Sequence, residues 1–343
     1  MPRCAVISYR LGAVDGVSIE AAKWCWALKQ LGYELTTIAG EGEADHIIEG
    51  LGLQDLGPLD PKTISDAIEG CDFVVVENLL SLPMNTHAQE ALVKALTARR
   101  AILRHHDLPW QRERFATLAL PSFDADWIHV AINSLSVKEL GERGHRASLI
   151  YNAFDLHADQ GDREGSRGLL NIAENTRLAL QPTRAIARKN IGLAIAIAEE
   201  LEATYWLLGE AEDGYGPSLD ALLTETSIEV LRGPGRSNAR ANIYDAYAAS
   251  DVLLFPSSLE GFGNPPIEAA IARKPIVVGH YPVAVELEAL GFTWFHPENI
   301  PALKAFLEEP DEALHEANLA IVASSFNLDL LPSKIAQLID ELP

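Results

Sequence analysis

Two glutamates, Glu260 and Glu268, bracket a turn in the stretch "SSLEGFGNPPIEAAIARKPIVV" at 257–278. The run before it, 251–256, is apolar and ends at Pro256, as a strand would. Pro265 or Pro266 suits the start of a helix, because the N–H that proline lacks has no intrahelical partner there. Gly261 and Gly263 let the backbone approach a ligand closely and leave main-chain N–H groups facing hydroxyl or phosphate oxygens. Glu260 then lies in the loop and Glu268 in the first turns of the helix. Carboxylates so placed can accept hydrogen bonds from hydroxyl groups at both ends of a sugar nucleotide. A capping acid plus a surface acid would account for Glu268 but leave Glu260 and the glycines without a reason.

Such a turn needs a strand before it and a helix after it, and the chain alternates these throughout. Apolar, β-branched runs at 4–9, 34–39, 73–78, 101–106 and 127–133 predict strands in the first half. Runs at 178–182, 204–209, 228–233, 251–256, 275–280 and 292–297 repeat the pattern in the second. Helical stretches such as 189–201 fill the gaps, and this alternation means parallel sheets covered by helices on both faces. The polar, glycine-rich "FDLHADQGDREGSRG" (154–168) shows no periodicity and reads as an interdomain linker. The expected division is a first domain over 1–155, a linker over 156–172 and a second domain over 173–325. An amphipathic segment at 326–343 closes the chain. Ligands of doubly wound sheets bind at the carboxyl ends of the strands.

With 343 residues and a formal charge of −22, the chain fits two domains and lacks the basic footprint of a nucleic-acid binder. No apolar run is long enough for a membrane span and no signal segment precedes "MPRCAVISYR", so a cytoplasmic setting is expected. Cys4, Cys25 and Cys71 are scattered in apolar contexts and read as small buried hydrophobes. Lys94, Arg99, Arg100, Arg104, Arg112 and Arg114 make 94–114 locally basic, which reads as a solvated face or a surface for an anionic acceptor.

The pattern Glu260-Gly-Phe-Gly-x-Pro-x-x-Glu268 resembles the signature of retaining glycosyltransferases of the GT-B fold, in the family numbered four. The resemblance implies two Rossmann-like domains facing a cleft, with the C-terminal helix crossing back to the first domain. It implies a hexose passed from a nucleoside diphosphate sugar (UDP- or GDP-linked) to an acceptor hydroxyl of a sugar, glycan or small molecule, without a cofactor or a metal site. By resemblance Glu260 contacts hydroxyls of the transferred sugar and Glu268 holds the ribose. Backbone at Gly261, Phe262, Gly263 and Asn264 binds sugar and phosphate oxygens.

"LQPTRAIARKN" (180–190) matches the family's Arg-x4-Lys element, in which Arg184 and Lys189 would grip the diphosphate. "VDGVSIEAAKWCWALKQLGYEL" (14–35) matches its first glycine loop, with Gly16 near the phosphates and Asp15 where another glycine often stands. "ILRHHDLPW" (102–110) ends a strand with histidine, as in the family. His106 is preferred to His105 because it directly precedes Asp107. Pro266 departs from the pattern by removing a backbone donor. "DAD" (124–126) resembles a metal motif of a different glycosyltransferase fold and is not taken as one. Base recognition falls between about 209 and 245, with no readable code. A sugar phosphorylase or hydrolysing epimerase on the same scaffold, or a non-catalytic sugar-nucleotide binding protein, is the alternative.

Overall fold

Cys4, Ala5, Val6 and Ile7 are wholly inaccessible to solvent because their strand lies in the middle of a parallel sheet covered on both faces. The computed structural model describes residues 1–342 other than 14, 119, 122, 125 and 234–242. The chain forms two units, residues 1–153 with 327–343 and residues 154–326.

The first unit runs β1 (Arg3–Leu11), α1 (Gly16–Gln30), β2 (Glu34–Gly42), β3 (His46–Ile47), α2 (Pro61–Ala67) and β4 (Phe73–Glu77). It continues with α3 (Thr86–Leu96), β5 (Ala101–His105), β6 (Ile128–Ala131), α4 (Ser134–Glu142) and β7 (Ala147–Leu149). The second unit contains α5 (Arg163–Leu170), β8 (Leu178–Gln181), α6 (Ile191–Glu200), β9 (Thr204–Leu207), α7 (Gly216–Glu225), β10 (Val230–Arg232) and α8 (Ile243–Ala249). After these come β11 (Val252–Phe255), α9 (Asn264–Ile271), β12 (Ile276–Val278), α10 (Pro282–Ala289), α11 (Ile300–Glu308) and α12 (Glu312–Ser325). The last helix, α13 (Leu331–Glu341), belongs to the first unit.

The sheet orders are β3-β2-β1-β4-β5-β6-β7 and β10-β9-β8-β11-β12, parallel throughout. Strand order reverses between β1 and β4 in one sheet and between β8 and β11 in the other. Each reversal opens a crevice at the carboxyl ends of the strands. The terminal helix returns to pack on α1, where Leu331, Ile335 and Leu338 share a core with Trp24 and Leu28. Each such side chain removed from water contributes about 1.5–3 kcal/mol.

Three expectations change. The run 292–297 forms no strand; Phe295 makes one bridge to Val277 before His296 turns the chain away. Residues 163–170, inside the segment read as linker, are the helix α5, capped by Asp162 and ended by Asn171 in the left-handed conformation. It turns arginine inward: Arg167 is 2% exposed and donates to the carbonyls of Ala249, Ala173 and Thr176. The basic stretch 94–114 is not one solvated face, since Arg104 is buried on β5 and Arg100 donates to the Leu342 carbonyl.

Candidate functional site

At the reversal point of the second unit, the loops after β8 and β11 are stitched together. Asn190, itself left-handed at φ 49°, donates to the Pro256 carbonyl at 2.8 Å, and the Ser258 N–H donates to the Arg188 carbonyl at 2.9 Å. Gln181, fully buried at the end of β8, donates to the Lys189 carbonyl (2.9 Å) and accepts from the Tyr205 hydroxyl (2.6 Å). On the other side, Ala185 bridges to Ala211, and Gly209 permits this approach: a Cβ there would lie 2.5 Å from Arg184 Cα. The residues between 181 and 190 are thereby fixed before any ligand arrives, which is how a binding constellation avoids ordering costs.

Glu260 is the centre of this region. Its Oε1 accepts from Lys189 Nζ at 2.5 Å and its Oε2 from Arg188 Nη1 at 2.6 Å, while Arg188 also donates to the Leu259 carbonyl at 2.7 Å. Burial alone would raise the Glu260 pKa, but Lys189 and Arg188 outweigh it and hold the group below the usual carboxylate range. For Lys189 burial wins: it pulls the ammonium down to about 8 against the attraction of Glu260, with the Arg188 and Arg184 charges adding to the fall. Arg184 is held apart, ion-paired at 2.6 Å with Glu212 where both side chains are about half exposed. Such a pair contributes little and is easily exchanged for a better anion. Two cations, Lys189 and Arg188, thus flank one carboxylate, a local excess of positive charge that leaves the region suited to an added anion.

The turn after Glu260 fits its glycines. Gly263 has φ +90°, and a Cβ there would meet the Tyr281 hydroxyl at 2.5 Å, so both backbone and space require glycine. Phe262 is buried against Phe154 and Phe326, which anchors the loop. The helix starts at Asn264, slightly before the expected proline. Because Pro265 and Pro266 carry no N–H, only Gly263 and Asn264 supply backbone donors at the first four positions. Glu268, half-buried on α9, accepts from the Tyr247 hydroxyl of α8 at 2.6 Å. Of the named residues, then, Glu260 and Lys189 touch, while Arg184 and Glu268 have separate partners. The segment 234–242, part of the range expected to read the base, lies outside the described residues.

The first unit has its own buried polar network at the ends of β4 and β5. Arg104 donates to both Glu77 oxygens (3.1 and 3.2 Å) and to Glu20 of α1 (3.2 Å), and packs 4.8 Å over the Trp24 ring. His106 Nε2 lies 2.9 Å from Glu77 Oε2. Burial works against the Glu77 charge, yet Arg104 and then His106 hold its pKa below the usual range. His105 faces another way, with Nδ1 on Ser81 (2.7 Å) and Nε2 on His129 (3.0 Å). Both its ring nitrogens are committed, whereas His106 Nδ1 has no partner among the described residues. Asp15 caps α1 by accepting from Val17 and Ser18, so it occupies the helix start that the phosphate was expected to approach. Gly16 is exposed with nothing within 4 Å of where a Cβ would stand. Asp107 is ion-paired to Arg112, and Asp124 accepts from the Asp126 N–H in a local turn.

Arg188, Gln181 and Asn190 were not foreseen. Arg188 adjoins Lys189 in sequence, which is the one available hint; the other two act through side chains whose partners lie on distant strands.

Comparison with known proteins follows the same outline. The model of the glycosyl transferases group 1 family matches residues 162–320. Mannosylglucosylglycerate synthase from Petrotoga mobilis is 26% identical, covering 84% of this chain and 84% of its own. The enzyme of that name from Thermotoga maritima is 27% identical, covering 82% and 81%. Among solved structures, Anabaena HepE in complex with UDP superposes with a TM-score of 0.72 over all of both chains at 20% identity. Its complex with UDP-glucose gives 0.71 over 99% of this chain and 100% of that one, at 19% identity.

Proposed function

The chain belongs to the glycosyl transferases group 1 family, family four of the retaining glycosyltransferases, and from that premise we propose how its residues divide the work of hexosyl transfer. It has the GT-B fold and is a nucleotide-sugar-dependent hexosyltransferase. In our reading Arg184 and Lys189 meet the diphosphate, with Arg184 leaving Glu212 to do so. Glu260, braced by Arg188, accepts from hydroxyls of the transferred hexose. Glu268 accepts from the ribose, and backbone at Gly261, Phe262, Gly263 and Asn264 meets the remaining oxygens. His106 and Gly16 serve the reaction from the first unit.

The bond from the anomeric carbon to the diphosphate oxygen breaks as the acceptor oxygen bonds to the same face. The departing diphosphate takes the acceptor's proton, and Arg184 and Lys189 stabilise its charge. The observation that carries this reading is the pair of cations, Arg188 and Lys189, on Glu260 at the sheet's reversal point, with the Arg184 charge close enough to act on Lys189. With those cations present, transfer needs no divalent ion. UDP- or GDP-hexose is the proposed donor, mannose being favoured by the names of the two synthases. The proposed acceptor is an alcohol of a sugar, glycan or small molecule, in the cytoplasm and not a nucleic acid. Among the described residues, no helix is long and apolar enough to cross a membrane.

The test is a panel of UDP- and GDP-hexoses with sugar acceptors in excess EDTA, with the product followed by proton NMR. Transfer should persist in chelator, and a gluco-configured α-donor should give the small anomeric coupling of an α-product. Turnover that stops in chelator and returns with manganese would overturn the metal-free reading. A donor consumed equally without acceptor would favour a hydrolase or epimerase.

Lys189 adds a pH signature. Its pKa of about 8, against 10.5 for a free lysine, keeps it an ammonium below pH 8 and neutral above. Nucleoside diphosphate affinity should therefore weaken as pH rises past 8, and binding at pH 8.5 should take up a proton, because the anion favours the charged form. Lys189→Arg should remove both effects. Calorimetric titrations in buffers of different ionisation enthalpy measure the uptake; identical apparent enthalpies in wild type would contradict it.

A further inference from the structure

Beyond the end of the edge strand β12, outside the proposed donor residues, two histidines and a glutamate converge. His280 stands two residues after β12, and His296 and Glu298 lie just beyond the Phe295 bridge. The two imidazoles stack with centroids 4.5 Å apart and planes 17° from parallel. His280 Nε2 is 3.1 and 3.2 Å from the two Glu298 oxygens. One nitrogen or oxygen from each of the three residues lies within 4.8 Å of the others.

His296 supplies the decisive detail. Its Nδ1 is 3.1 Å from the Val278 carbonyl, and since a carbonyl only accepts, Nδ1 carries the proton. In the neutral ring Nε2 is then a bare lone pair, and it faces Glu288 Oε1 at 3.1 Å. That oxygen is itself fixed by the Trp294 indole N–H at 2.8 Å. Two acceptors this close require a cation between them, either a proton or a metal ion. A histidine whose other nitrogen donates to a backbone carbonyl is the usual arrangement of a metal-bound imidazole, because it sets the tautomer and raises ligand basicity.

We propose that His280, His296 and Glu298 bind a divalent transition-metal ion of the zinc class, with Glu288 beside His296 as a further oxygen donor. Two imidazoles and carboxylates suit zinc, at about 2.0–2.2 Å from each ligand atom. The site is open: the His280 side chain is 62% exposed and Glu298 65%, so exposed torsions close the remaining distance and water completes the shell. The ion would fix the loop carrying Tyr281, whose hydroxyl lies against Gly263. Its role is to stiffen that loop, and no step of transfer passes through it.

The test does not depend on glycosyl transfer. Protein stripped with EDTA and then freed of chelator is titrated with zinc chloride, with bound metal counted by mass spectrometry after dialysis and Tm recorded alongside. Wild type should hold one zinc that is lost, or weakened at least tenfold, in His280→Ala and in Glu298→Gln, and zinc should raise Tm only in wild type. Both substitutions are at exposed positions, so folding is preserved. Absence of stoichiometric zinc on wild type, or equal uptake by the His280→Ala Glu298→Gln double variant, would overturn the site and leave a proton as the cation on His296.

Discussion

Glu260→Gln is expected to lower transfer more than a hundredfold while leaving nucleoside diphosphate affinity within about threefold, in the range seen when a preorganised electrostatic contact is removed. The substitution keeps the shape of the side chain but removes the charge that balances Arg188 and Lys189. Breaking one partner of a buried pair costs about 3–5 kcal/mol, because the other is left without compensation. The second unit should therefore also melt earlier. Lys189 escapes part of that cost by shedding its proton, since burial already draws its pKa down to about 8. Steady-state kinetics beside calorimetry separates the two effects. Undiminished turnover in Glu260→Gln would show that the carboxylate only braces the loop.

Arg104→Met should produce the larger loss of stability, about 3–5 kcal/mol confined to the first unit. Arg104 is the cation between Glu77 and Glu20, all three wholly or almost wholly buried. Methionine fills similar volume but leaves two carboxylates without it. The remaining cations are Lys23 on Glu20 and whatever charge His106 carries. Glu77 is held below its ordinary pKa in the native protein, so it contributes stability above the unfolded carboxylate range and loses it as pH falls. In the variant that sign reverses: burial raises Glu77, protonation relieves it, and the deficit should be smaller at pH 5 than at pH 8. Scanning calorimetry at the two values reads both size and slope. An unchanged transition, or a deficit that grows towards acid, would show that the network is not held by Arg104. Because His106 leans on Glu77, activity should fall even where the variant remains folded.

Much of this was legible in the chain, for identifiable reasons. Glu260 and Gly263 stand in a strand–turn–helix whose local chemistry is complete within a dozen residues, so their setting could be read directly. Arg188, Gln181 and Asn190 could not, since their roles depend on the loop after β11 crossing the loop after β8, a contact across some 70 residues of chain. The helix α5 escaped notice because its inward face is Arg163 and Arg167, which answer backbone carbonyls and Asp251, and no apolar period marks it. The opposite error arose at 292–297, where an apolar run packs Phe292 and Trp294 inward yet pairs only at Phe295. The strands β3 and β7, two and three residues long, are edge pieces too short to leave a pattern. Arg104 looked like part of a basic surface, but a charge within the buried strand "AILRH" needs buried partners. Glu77, at the end of "FVVVE", was one in plain view.

The proposed donor site is the turn between β11 and α9, with Glu268 on the ribose of a nucleoside diphosphate sugar. Calorimetric titration of UDP and of GDP into wild type and Glu268→Ala tests it most directly. One of the two nucleotides should bind wild type with a stoichiometry of one. Its affinity for Glu268→Ala should be at least tenfold weaker, as expected for loss of hydrogen bonds to a charged acceptor, worth about 1.5–3 kcal/mol. Equal affinity in the two proteins, or binding of neither nucleotide to wild type, would contradict the account.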